Sequence, residues 1–174
     1  VGKTDLIIIS SITRRTLEPK PRPETVRWLK TQHRRGASIA SVCTGAFLLA
    51  ATGLLNGKTA TTHWGFMDLF RQRHPDVILQ PEKVITDEGT LYCAGALSAG
   101  IDLSLYLVEK YCGHEVAISC SKALMHDMGR RTQAPFSVLQ FQKKHADEAV
   151  LNAQLWLEKH HRAHLDMNAA AQTH

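Results

Sequence analysis

"ASIASVCTGAFLLAATGLLNGKTATTHW", residues Ala37–Trp64, holds two apolar runs of different period that meet at Cys43-Thr44-Gly45. Ala37–Val42 is short and uninterrupted and follows a glycine, the pattern of a strand buried on both faces. Thr44–Ala51 is apolar nearly all round, through Ala46, Phe47, Leu48, Leu49 and Ala50, which predicts a largely buried helix. A residue between such a strand and such a helix sits at the carboxyl edge of the sheet, where open α/β folds bind ligands. Cys43 holds that place.

On the N-terminal side, Asp5–Ser10, "DLIIIS", reads as another strand buried on both faces. "EPKPRPE" is an extended connector in which Pro23 suits the first position of a helix. That helix carries Val26, Leu29 and His33 on one stripe and stops at Gly36. Strand, helix, strand, helix in this order predicts an α/β fold with a mostly parallel sheet sandwiched by helices. On the C-terminal side, Trp64–His74 reads as an amphipathic helix ended by Pro75, and "KVITDEGTLYCAG" as two strands turning at Asp87-Glu88-Gly89. Ile101, Leu105, Val108 and Cys112 mark the stripe of a longer helix with Gly113 as its stop, and a further helix covers Glu115–Met125. From Gly129, "GRRTQAPFSVLQFQKKHADE" is polar, basic and weakly periodic, and reads as a linker. Ala146–His160 resumes a helix with Val150, Ala153 and Leu157 on one stripe, and "LDMNAAAQTH" opens another helix-like stretch. The expected division is a domain over 1–136, a linker over 137–145 and a helical tail over 146–174, with the basic stretch from Gly129 straddling the first boundary.

With 174 residues, 44% of them hydrophobic and 21% charged, the chain has the composition of one globular domain with an appendage. No apolar run approaches the roughly 18 residues of a membrane span. There is no basic-then-apolar leader at Val1, and the N-terminal part of a longer protein is expected ahead of it. Cys43, Cys93, Cys112 and Cys120 form no CxxC pair, which fits free thiols in a reducing cytoplasm. His160, His161 and His164 lack a matching Cys or carboxylate set, so no structural metal is expected. A net charge of +5 spread over this length is compatible with nucleic acid but decides little.

At the Cys43 turn, the N–H groups of Thr44, Gly45 and Ala46 begin a helix and lack a preceding turn to pair with. They can receive a carboxylate, phosphate or oxyanion, and the same positive end favours a thiolate at Cys43. Gly45 removes a side chain where a nucleophile elbow is crowded. The alternative is a buried, inert cysteine. A nucleophilic role also needs a base, for which His63 at the end of "TTHW" is the candidate; the alternative is a histidine packed beside Trp64 and bonded to backbone. Asp102, at the start of the long helix, is placed to be stabilised by the helix dipole. "GLLNGKT" at Gly53–Thr59 imitates a P-loop but has three residues between its glycines where that motif needs four, and a β-like "TATT" follows it.

The stretch Ala37–Trp64 resembles the ThiJ/PfpI superfamily, with its type 1 glutamine-amidotransferase-like, flavodoxin-like fold. More narrowly it looks like the sensor domain of GlxA-type regulators of the AraC family. "DLIIIS", "LYCAGALSAGIDLSLYLVEKYCG" and "RRTQAPF" carry the likeness over about Asp5–Phe136, and "AVLNAQLWLEKH" and "LDMNAAAQTH" resemble the opening of the AraC-type DNA-binding domain. The resemblance implies a cytoplasmic transcription regulator whose sensor domain forms a homodimer and binds a small-molecule effector around Cys43, Thr44, Gly45 and His63. It implies no cofactor, no metal and no membrane partner. DNA would be bound by helix-turn-helix motifs of the full-length protein rather than by this chain alone. The basic residues Arg130, Arg131, Lys143, Lys144 and His145 would lie near DNA phosphates or form a solvated face. The superfamily's enzymes use the elbow cysteine as nucleophile, and several need an acidic residue from the first strand–helix connection, a region expected to lie ahead of Val1. "SSITRR" at Ser10–Arg15 is less glycine-rich than the family's pattern. Isonitrile hydratase-like enzymes share the CTG and ATTHW segments, so a hydratase or hydrolase using Cys43 is the alternative to a sensor. An oxidation sensor acting through Cys43 is a third.

Overall fold

Strand β2 (Ser38–Val42) has no exposed residue, and the rest of the fold follows from that. β1 (Leu6–Ile9) lies parallel on one side of it, with Ile7 opposite Ile39, and β6 (Leu91–Ala94) parallel on the other, with Ser41 opposite Cys93. β5 (Ile85–Asp87) closes the far edge antiparallel to β6, giving the order β1-β2-β6-β5. The computed structural model describes residues 4–12, 21–136 and 148–160.

Because successive strand side chains alternate faces, β2 and β6 feed two cores at once. Ile39, Leu91 and Cys93 pack with Leu29 of helix α1 (Pro23–Arg34), with Phe47 and Leu49 of α2 (Gly45–Ala51), and with Phe70 of α3 (Met67–Arg73). Ala40, Val42, Tyr92 and Ala94 pack on the opposite face with Ala99, Leu103 and Leu107 of α4 (Ala99–Cys112). Phe47 meets Phe70 edge to face at 5.0 Å between centroids, a geometry that adds about 0.5–1.5 kcal/mol to area burial. A separate pair, β3 (Thr59–Ala60) and β4 (Ile78–Leu79), runs parallel beside this core. Helix α5 (His114–Leu124) follows α4 across Gly113, whose φ of +93° supplies the stop expected there. Helices on both faces of a mostly parallel sheet are the expected flavodoxin-like architecture.

Four local expectations are corrected. β1 is not buried on both faces: it is an edge strand of this sheet, and Ile8 is 56% exposed. α4 buries Leu105 of the expected stripe but leaves Ile101 41% exposed, and it also turns Ala99, Leu103 and Leu107 inward, because a helix this apolar offers several stripes and the sheet selects the i, i+4 ridge. "TTHW" contributes no strand beyond Ala60; His63 instead precedes a single 3-10 turn, Trp64–Phe66, that leads into α3. Residues 129–133 are not free linker. Gln133 is buried, its N–H donates to Glu82 O at 2.8 Å, and Val84 N–H donates to Arg131 O at 3.3 Å.

The chain divides into two compact units, Val1–Pro135 and Phe136–His174. The second contains α6 (Glu148–His160), on which Val150 and Leu155 are exposed and Ala153 half-buried. "LDMNAAAQTH", Lys143, Lys144 and His145 lie outside the described residues. Among the described residues, no helix is long and apolar enough to cross a membrane.

Candidate functional site

Cys43 follows β2 directly and precedes α2, at the carboxyl edge of the sheet. Its φ is +57°, and Met125 is the other non-glycine in that region among the described residues. A left-handed non-glycine residue is costly and persists only where its surroundings over-determine it, a pattern concentrated at functional sites. Here Cys43 N–H donates to Ala94 O at 2.7 Å, and Cys43 O accepts from Thr62 Oγ1 at 2.9 Å and from Ala46 N–H at 3.3 Å. The backbone is held on both sides, and the side chain belongs to the core cluster beneath α4 with 7% of the residue exposed.

Gly45 has a concrete reason to lack a side chain. A Cβ there would stand 2.6 Å from Ile9 O and 2.7 Å from Ser10 O, so the end of β1 rests directly on the elbow. Thr44 holds the same approach from the side. Its hydroxyl donates to Ile12 O at 2.5 Å, accepts from Ile12 N–H at 2.9 Å and lies 3.1 Å from Ser11 Oγ. The side chain is therefore committed to the β1 connection. Among the described residues the N–H groups of Thr44 and Gly45 have no acceptor, and both residues are buried. A hollow of about 320 Å³ lies between Ser10, Ser11, Val42, Leu97 and Gly100; it comes as near the elbow as Val42, and Cys43, Thr44, Gly45 and His63 are not among the residues that line it.

His63 is brought to the same region by the Thr62–Cys43 bond, but its ring is already engaged. Nδ1 accepts from Gly65 N–H at 3.1 Å, and the ring packs on Trp64 and Phe66 with centroids at 5.1 and 5.9 Å. In the neutral ring the proton then sits on Nε2, leaving no free lone pair to take a thiol proton. Burial pushes its pKa down, so the ring stays neutral at physiological pH.

Asp102 is not a simple helix-start carboxylate. It is buried and paired with His126 Nε2 at 3.0 Å and with the Arg130 guanidinium. Arg130 is thereby an internal partner rather than a free basic residue. A cavity of about 420 Å³ lies alongside, between Lys83, Tyr106, Glu109 and Arg130. Thr62, Gln133 and His126 escape the sequence reading, and Arg130 reads there only as a basic residue, because each owes its place to a contact across the fold rather than to local periodicity. Among the described residues, no group of three or more His, Cys, Asp or Glu is placed to hold a metal ion.

The DJ-1/PfpI family model matches residues 15–110. An isonitrile hydratase from Pseudomonas putida is 33% identical over 129 residues, covering 71% of this chain and 55% of that protein. The HTH-type transcriptional regulator CdhR of Pseudomonas aeruginosa is 34% identical over 100 residues, covering 58% of this chain and 30% of its own length. The crystal structure of a putative transcriptional regulator from Vibrio parahaemolyticus superposes with a TM-score of 0.64 at 29% identity, over 70% of this chain and 64% of the other. The chain thus spans from about a third to about half the length of these two curated relatives.

Proposed function

Since the chain belongs to the DJ-1/PfpI family, we propose that it forms the ligand-sensing and dimerising part of an AraC-type transcriptional regulator. Its effector is a small molecule bound at the elbow, with Cys43 and Gly45 beneath it, the Thr44 and Gly45 N–H groups as donors and His63 at the rim. DNA recognition belongs to a helix-turn-helix segment of the longer protein, acting in the cytoplasm as a homodimer. Supporting this are the likeness to named regulators and the separate C-terminal unit from Phe136. The observation that carries sensing over catalysis is the engaged His63, whose lone pair is given to Gly65 rather than to the thiol. An effector must favour one arrangement of the protein over another, since equal affinity for both transmits nothing.

Fluorescence anisotropy on promoter DNA tests the reading. The 174-residue chain binds weakly, with affinity falling steeply as salt rises, and the chain continued through a complete C-terminal domain binds at nanomolar level. Failure of the continued chain to bind defeats the regulator reading, and nanomolar sequence-specific binding by the 174-residue chain defeats the assignment of DNA contact to the later segment.

A second reading, an isonitrile hydratase-like or hydrolytic enzyme, draws on the likeness to the hydratase and on the left-handed Cys43. In it Cys43 is the nucleophile and the Thr44 and Gly45 amides stabilise the oxyanion. A base other than His63 in its present bonding would have to take the thiol proton.

A further inference from the structure

We propose that residues Arg130–Gln133 form a releasable strap whose docking is coupled to the Cys43 elbow, so that what occupies the elbow decides whether the strap is held. The inference rests on the sensing role above and names how that site is read out.

The coupling runs through two short connections that share both ends. Thr62 donates its hydroxyl to Cys43 O at 2.9 Å, and its own carbonyl accepts from Gln133 Nε2 at 3.2 Å. Ala94 O accepts from Cys43 N–H at 2.7 Å, and the next residue, Gly95, lies against Gln133 so closely that a Cβ there would fall on the Gln133 side chain. Both backbone groups of the elbow are thus one residue or less from the same buried amide. Gln133 Nε2 also donates to Pro81 O at 2.7 Å, and with carbonyls on that side its orientation is fixed with nitrogen inward. A shift of the elbow backbone reaches Gln133 by contact, through groups that are all within hydrogen-bond or van der Waals distance.

The way the strap is held suits release. Its attachments are polar: Gln133 N–H and Thr132 Oγ1 both donate to Glu82 O, at 2.8 and 3.0 Å, and Arg130 pairs with Asp102 and reaches Ser98 Oγ at 3.3 Å. Of the strap's residues Gln133 alone is buried. Three of the five buried side-chain atoms without a partner among the described residues lie in or beside this seam: Gln80 Oε1, Arg130 Nε and Gln133 Oε1. These polar groups reach solvent when the strap leaves, so undocking does not strand them.

Two reciprocal readouts test the coupling in the full chain with Cys112→Ser and Cys120→Ser: the iodoacetamide alkylation rate of Cys43, and amide exchange over 130–134. Gln133→Ala raises the Cys43 rate at least tenfold, and carboxamidomethylation of Cys43 speeds exchange of the Gln133 amide by a comparable factor. If Gln133→Ala does not fold, Arg130→Gln frees the other end of the strap without touching Thr62 or Gly95, and should speed both strap exchange and Cys43 alkylation. The proposal is overturned if the strap loosens while the Cys43 rate stays within twofold, or if the adduct leaves strap exchange unchanged. Neither readout uses effector or DNA. Loss of coupling therefore removes the strap mechanism and leaves the sensing role standing, whereas failure of DNA binding removes the sensing role and leaves the contact between elbow and strap to be measured as it is.

Discussion

Gly45→Ala is the most informative single change, because its cost can be worked from the elbow. The new methyl would start 2.6 and 2.7 Å from two backbone oxygens, Ile9 O and Ser10 O, and must reach the 3.4 Å at which ordinary contact begins. Neither oxygen can rotate away, so the end of β1 has to retreat. Overpacking of this kind costs about 1–3 kcal/mol. The retreat also stretches the two Thr44–Ile12 hydrogen bonds, each worth about 1 kcal/mol. Alanine returns roughly 0.4–1 kcal/mol by restricting the unfolded chain, since Gly45 is helical in the fold. A net loss of about 2–3 kcal/mol remains, which at an m-value of about 2 kcal/mol/M lowers the urea midpoint by about 1 M. Circular dichroism during urea titration measures it. Gly36→Ala is the control: its φ is +97° with no atom within 4 Å of a Cβ, so it carries backbone strain alone, about 1–2 kcal/mol, and leaves Cys43 alkylation unchanged. A Gly45→Ala midpoint within about 0.2 M of wild type would refute the seating of β1 on the elbow.

Acid stability should fall in two stages. Burial depresses His63 and His74 below 6.5, so the unfolded state takes up protons first and stability declines as pH drops below 6.5 toward the folded values. A second loss follows below about pH 4.5, where Glu88, bonded to Thr59, and Asp87, bonded to Lys110 and Tyr106, are held under their usual values. Urea midpoints against pH, with His63→Gln and His74→Gln flattening the first stage, check both. Native-state alkylation should proceed in the order Cys112, Cys120, Cys43, Cys93, following exposure, with the buried Cys93 thiol also pushed up by desolvation; mass spectrometry that finds Cys93 ahead of Cys43 contradicts the packing. Asp102→Asn should cost about 1–2 kcal/mol, less than a fully buried pair because its partners are partly exposed, and should speed proteolysis after Arg130. An unchanged digestion pattern would count against the Arg130 attachment.

The elements legible in the sequence are those whose signal is local. The strand–Cys–helix switch, the Asp87–Gly89 turn with Gly89 at φ +82° and the stop at Gly113 each depend on a few adjacent residues. Gly45 was legible as a crowded elbow, although what crowds it, the carbonyls of β1, was not. Polar residues buried by distant partners leave no such signal. Gln133 reads as linker, yet it is 4% exposed because the carbonyls of Pro81 and Thr62 and the bare Gly95 form its socket. Thr44 likewise reads as part of a ligand rim, and its hydroxyl is spent on Ile12. Ile8 reads as core because periodicity cannot tell a central strand from an edge strand. Asp102 fits a helix dipole in sequence, and only the fold brings His126 and Arg130 to it.

The central claim is that the elbow binds without turning over. Its most direct measurement is product formation from a panel of isonitriles and amides by the chain in its full-length protein, compared with Cys43→Ala. The account predicts no turnover above background in either. Turnover by the wild type that vanishes in Cys43→Ala would contradict it and make Cys43 a nucleophile.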